Sequence, residues 1–145
     1  MERIKWKAKP EGKDYWIAGS YLYHSTLHQH FICRFKDRYT TIPEFIPVRI
    51  STLCCCIGEK DCKGKEIWEN DIVQNSNGLI GIVRIGKHNS GWNHNIELGA
   101  YLEIQNDPLQ CYRSDIIFWV NDGLEVIGNI FDHPQLLKHI NENKQ

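Results

Sequence analysis

The stretch Gly58-Glu-Lys-Asp-Cys-Lys-Gly-Lys-Glu-Ile-Trp-Glu-Asn-Asp-Ile-Val73 decides how this chain is read. Asp61-Cys62-Lys63-Gly64 suits a type I turn, with Asp at its first position and Gly at its last. Ile67-Trp68 leads into Glu69-Asn70-Asp71, where Asn70 tolerates the positive φ of a sharp reversal better than any residue but glycine. Ile72-Val73 opens the next strand. Turn, strand, turn and strand make the build of a small β-barrel.

Working outward, both flanks read as short strands with period-two alternation. On the N-terminal side Arg3, Lys5, Lys7 and Lys9 share one face, and Ile4, Trp6 and Ala8 the other. Tyr15–Tyr23 and His30–Phe35 follow as strands, with Gly19 a bulge or a close backbone approach. These make an N-terminal meander over about 1–36. Pro43 and Pro47 remove ladder donors, so about 37–50 reads as an extended linker with a short irregular element. From about 51 to 145 the pattern is a barrel half: Leu53–Ile57, the quoted stretch, and a hairpin at Asn75-Ser-Asn-Gly78. A strand over Ile96–Ile104 and a last hairpin, Ile116–Val120 with Leu124–Ile130 around Asn121-Asp-Gly123, complete it. Pro134 with Leu136, Leu137 and Ile140 predicts a short C-terminal helix. The expected fold is mainly β, with small barrel-like antiparallel sheets in a single domain over 1–145.

Composition narrows the function classes. Seventeen basic and eighteen acidic residues leave a net charge of −1, so no global field draws the chain to nucleic acid or membrane. No apolar run approaches the ~18 residues of a membrane span. The N-terminus lacks the apolar core of a signal peptide, and six cysteines without such a signal read as reduced thiols in a cytosol. A cytoplasmic location is expected.

Three stretches together resemble the YopX family, small proteins encoded by bacteriophages and prophages. They are Ile4–Ala8; Gly58, Lys60, Asp61, Gly64, Lys65, Glu66, Ile67, Trp68, Glu69, Asp71, Ile72 and Val73; and Glu125–Ile130 with Gly128 and Asn129, followed by Pro134–Leu137. Asn70 stands where that family usually has Gly, Glu59 where an apolar residue is usual, and Lys63 where Asn is. The resemblance implies a mainly β architecture located in a bacterial host cell, and it implies no activity.

Candidate chemistry is sparse. Glu66, Glu69 and Asp71 could supply paired carboxylates, but they flank turns and strand starts, where acidic side chains bond to backbone. His24, His28, His30 and Cys33 lie close in sequence, yet no cysteine pair has zinc-ligand spacing, and no metal or cofactor is expected. Neither a nucleophile motif nor a phosphate loop is present. The basic strip of Arg3, Lys5, Lys7 and Lys9 beside Trp16, Tyr21 and Tyr23 could serve single-stranded nucleic acid, a reading ranked second. Trp92, in a polar turn, could anchor a protein partner or a second copy. The expectation is a non-enzymatic interaction module, with no catalytic residue assigned.

Overall fold

The computed structural model describes residues 4–89, 96–106 and 113–142. Its strands are β1 (Trp6–Ala8), β2 (Ile17–His24), β3 (Gln29–Arg34), β4 (Glu44–Pro47), β5 (Cys54–Lys60), β6 (Glu66–Trp68) and β7 (Asp71–Gln74). There follow β8 (Ile80–Asn89), β9 (Ile96–Ile104), β10 (Arg113–Asp115), helix α1 (Ile116–Asn121), β11 (Glu125–Asn129) and helix α2 (Gln135–Glu142). One sheet has the order β4-β3-β2-β1-β5-β6 and the other β10-β9-β8-β7-β11. The chain divides into two compact units, Met1–Cys56 and Ile57–Gln145.

The expected barrel is not formed: both sheets are open. Closing a sheet requires its two edge strands to meet with a fixed stagger. In the second sheet the edges are β10 and β11, and the chain between them coils into α1 instead of extending. Ile116–Val120 is therefore a helix, not the first arm of a hairpin. Its end uses the same Asn-Asp-Gly signal in another way. Gly123 has φ +73° and the Leu124 N–H reaches back to the Trp119 carbonyl at 3.0 Å, a left-handed helix stop. In the first sheet the edge strand β4 lies in the segment expected as a linker, flanked by Pro43 and ending in Pro47.

In the N-terminal unit β1, β2 and β3 form the antiparallel meander, and β4 adds to β3. One face of its sheet carries a small core of Ala8, Ile17, Ile32 and Val48, with Trp6, Tyr21, Ile46 and Leu53 against it. Gly19 has no room for a side chain, since a Cβ would stand 2.4 Å from the Cys33 carbonyl oxygen. The larger core of the C-terminal unit joins Ile67, Val73, Val83, Leu102, Ile116, Trp119, Leu124 and Val126. Trp119 lies in that core. Trp68 is only half-buried, because the pleat that turns Ile67 inward turns its neighbour the other way.

β11 pairs with β7 through a register shift between Val126 and Gly128. A Cβ on Gly128 would stand 2.8 Å from ring atoms of His133, so the backbone and the imidazole are in close contact. Gly128→Ala is expected to cost about 1–3 kcal/mol in urea unfolding. Adding His133→Ala should leave the double variant less destabilised than the two single losses combined; strict additivity would mean that the two positions do not press on one another.

Candidate interaction surface

The residues of the quoted stretch are spent on backbone geometry. Asp61 is buried, and its carboxylate accepts the N–H groups of Lys63 (2.9 Å) and Lys65 (2.8 Å) on Oδ1 and of Val126 (3.0 Å) on Oδ2. The turn closes by Gly64 N–H to the Asp61 carbonyl, with Gly64 at φ +80°. The Cys62 N–H adds a bond to the Leu124 carbonyl, and Lys63 pairs with Glu125 at 2.6 Å on the surface. Burial pushes the Asp61 carboxyl up, but the three N–H groups and the Lys65 charge outweigh it and hold the group below the usual 3.8. Asn75 builds the same turn, taking Asn77 and Leu79 N–H groups on Oδ1. It has no second carboxylate oxygen to reach another strand, and Asp61 does.

The next corner is also structural. Asn70 has φ +70°; its N–H donates to the Val83 carbonyl and its carbonyl accepts from Ile130, while Oδ1 takes the Arg84 guanidinium at 2.7 Å. Asp71 is buried and accepts the Trp68 N–H at 2.8 Å. Glu66 opens β6 and Glu69 lies in the turn after it, both half-buried. Ile72 and Val73 are wholly buried, and Gly58 is an exposed residue of β5 at φ +81°. Asn129 turns the chain toward α2, its Oδ1 accepting from Phe131 and Asp132.

The histidines near the β2–β3 turn divide by strand alternation. His30 faces the core side with Tyr21, whose hydroxyl lies 2.6 Å from its Nδ1; His24 and Cys33 fall on the opposite face. His24 instead accepts the Leu27 N–H. Among the described residues no three His, Cys, Asp or Glu side chains gather as a metal-binding group. Two lysines of the basic strip are engaged locally. Lys9 is buried with its ammonium 2.5 Å from Asp14, and Lys7 and Lys9 lie over the Trp16 ring at 4.7 and 5.2 Å. Lys5 is exposed. Arg3 and Trp92 lie outside the described residues.

What local motif reading did not single out is the other face of the N-terminal sheet. The register sets Leu22 opposite Phe31 and Phe31 opposite Pro47, and beside them Ser20, Cys33 and Phe45 in a second row. Leu22 is 42% and Phe45 54% exposed. Of the large hydrophobic side chains left exposed among the described residues, all but Ile85 and Leu98 belong to the N-terminal unit. Two of them, Leu22 and Phe45, stand at strand positions of this face, beside half-buried Phe31 and exposed Pro47. The sequence signal was there: β2 and β3 carry apolar residues on both parities, where a sheet with one solvated face shows a clean alternation.

An open-sheet, mainly antiparallel β protein with structural corners and one apolar sheet face is the class these features define. A family model described as YopX protein matches residues 8–138, and the chain belongs to that family. The two later stretches that carry the resemblance fall inside the match, whereas Ile4–Lys7 precede it. No curated protein matches the chain. No helix among the described residues is long and apolar enough to cross a membrane.

Because the folded-state pKa of Asp61 is depressed, its contribution to stability is complete above the ordinary value of 3.8 and is lost as pH falls through the lower folded value. Asp61→Asn puts an N–H₂ against a backbone donor and is expected to cost about 1–3 kcal/mol near neutral pH. In urea titrations the gap between wild type and variant should narrow below pH ~4, the ordinary aspartate range. A gap independent of pH would remove the carboxylate from this role.

Proposed function

We propose that this protein is a non-enzymatic interaction module of phage or prophage origin, acting in the cytoplasm of a bacterial host by docking on another protein surface. The observation that carries the reading is the apolar row Leu22–Phe31–Pro47, with Phe45 beside it, on a sheet face turned to solvent. Fully burying a Leu or Phe side chain contributes about 1.5–3 kcal/mol, so a few such residues suffice for a specific contact. Membership of the YopX family is in keeping with this reading, and the matched stretch is accounted for by turn geometry. Nucleic-acid binding ranks second because the lysines and Trp16 already engage one another, which costs a stacking platform its open face.

Capture from host lysate tests the reading, with the chain immobilised and compared with a Leu22→Lys, Phe45→Glu double variant. Both positions are exposed, so the melting temperature should hold. The expected result is a retained protein, lost in the double variant. Retention of nucleic acid that falls steeply with salt and disappears in Lys5→Ala, Lys7→Ala would replace it with the second reading.

A further inference from the structure

We propose that Tyr21 is a nucleophilic acceptor site, a phenol whose proton His30 takes as its oxygen attacks a tetrahedral phosphorus or sulfur centre carrying a leaving group. Both residues stand on the side of the N-terminal sheet opposite Leu22 and Phe45, apart from the docking face.

Strand alternation sets Tyr21, Tyr23 and His30 on one side, with Trp6 of β1 beside them. Tyr21 and His30 are diagonal neighbours, since Tyr21 pairs with Ile32 and Tyr23 with His30. The Tyr21 hydroxyl lies 2.6 Å from His30 Nδ1, the separation expected of a nucleophile and its base. A phenol is far more acidic than the N–H of a neutral imidazole, so the hydroxyl donates and Nδ1 accepts, leaving the ring's own proton on Nε2. Such a pair needs its base held in place, and packing holds both members. The imidazole contacts the rings of Tyr21, at 5.8 Å and 12° between planes, and of Tyr23, at 4.8 Å; Trp6 packs on Tyr21 at 5.6 Å. Tyr21 and His30 are half-buried rather than sealed.

The charges around the pair suit an anionic donor. No acidic residue occurs from Ile17 to Arg34, the whole of the β2–β3 hairpin. On the same face Arg34 follows Ile32 along β3, its Nε 3.7 Å from Glu44 of β4, and Cys55 of β5 stands opposite Trp6. His28, at φ +51° in the turn, has its Nδ1 3.2 Å from the Tyr23 hydroxyl, a longer and more exposed version of the same pairing. In the transfer the Tyr21 oxygen forms a bond to phosphorus as the bond from phosphorus to the leaving group breaks. The leaving group keeps that electron pair, and the phenolic proton passes to Nδ1 and then from the imidazolium to water. With a phosphoanhydride donor the leaving group is a phosphate; with a sulfonyl fluoride it is fluoride.

Labelling of the full chain by an aryl sulfonyl fluoride, with each tyrosine read by peptide mass spectrometry, tests this. Tyr21 is expected to react about 10-fold or more faster than Tyr15, although Tyr15 is 54% exposed and Tyr21 only half-buried. Rates that follow exposure, with Tyr15 ahead of Tyr21, overturn the proposal. His30→Phe keeps a ring in the stack and removes the base; it should slow Tyr21 about 10-fold or more and leave Tyr15 unchanged. A Tyr21 rate that survives His30→Phe overturns the proposal too, even with a lowered melting temperature, the result a purely structural bond gives. If His30→Phe does not fold, the wild-type pH profile decides. Base-assisted attack levels off above the histidine range, whereas an unassisted phenol keeps accelerating toward the ordinary tyrosine value of about 10. A Tyr21 profile parallel to that of Tyr15 counts against the site, and none of these outcomes bears on docking through Phe45.

Discussion

The Asp61 carboxylate is the constraint on which the C-terminal unit depends. It is a buried charge held by three backbone N–H groups, two from its own turn and one from Val126 of β11. Remove it and the β5–β6 turn keeps its main-chain closure and the Cys62–Leu124 bond but loses its side-chain brace and its bond to Val126, more than sixty residues on. β11 in turn pairs with β7, which begins at Asp71, and Ile130 returns a bond to Asn70. Two stretches far apart in sequence are thereby knitted into one fabric, and the core of Ile67, Val73, Leu124 and Val126 closes beneath it. Three of the four acceptor sites of that carboxylate are taken by backbone, two on Oδ1 and one on Oδ2.

The same logic separates the two Asx turns of this unit. Asp61 and Asn75 share spacing, the following Gly and the Oδ1 bonds, so a reader of the sequence sees two equivalent corners. Only the aspartate carries a second acceptor, and it takes the Val126 N–H of another strand; at the Asn75 corner the neighbouring chain arrives through Asn106, whose side chain bonds Gly78 and Ile80. The residue type at the first turn position thus distinguishes a tertiary anchor from a local corner.

Much of the architecture was legible because turn chemistry is local. Asn70 at the pivot, Gly64 in its turn and the Asn75 hairpin follow from the conformations these residues tolerate. Closure was not legible: alternation says which way side chains point and says nothing of whether edge strands meet. Ile116–Val120 failed for a related reason, since a short apolar run fits a strand or a buried helix, and Asn-Asp-Gly serves both a hairpin and a helix stop. Of the lysine strip, Lys7 lies in β1, and the engagement of Lys7 and Lys9 with Trp16, and of Lys9 with Asp14, depends on a turn folding back. The apolar sheet face escaped notice because it emerges from register across β2, β3 and β4.

The prolines of β4 have a consequence for how large any assembly can grow. A sheet whose margin is starved of donors cannot serve as a template for strand after strand from neighbouring molecules, the route by which β proteins polymerise into fibres. Pro43 and Pro47 thereby close this one margin of the first sheet to such growth, beside a face on which Leu22 and Phe45 stand exposed.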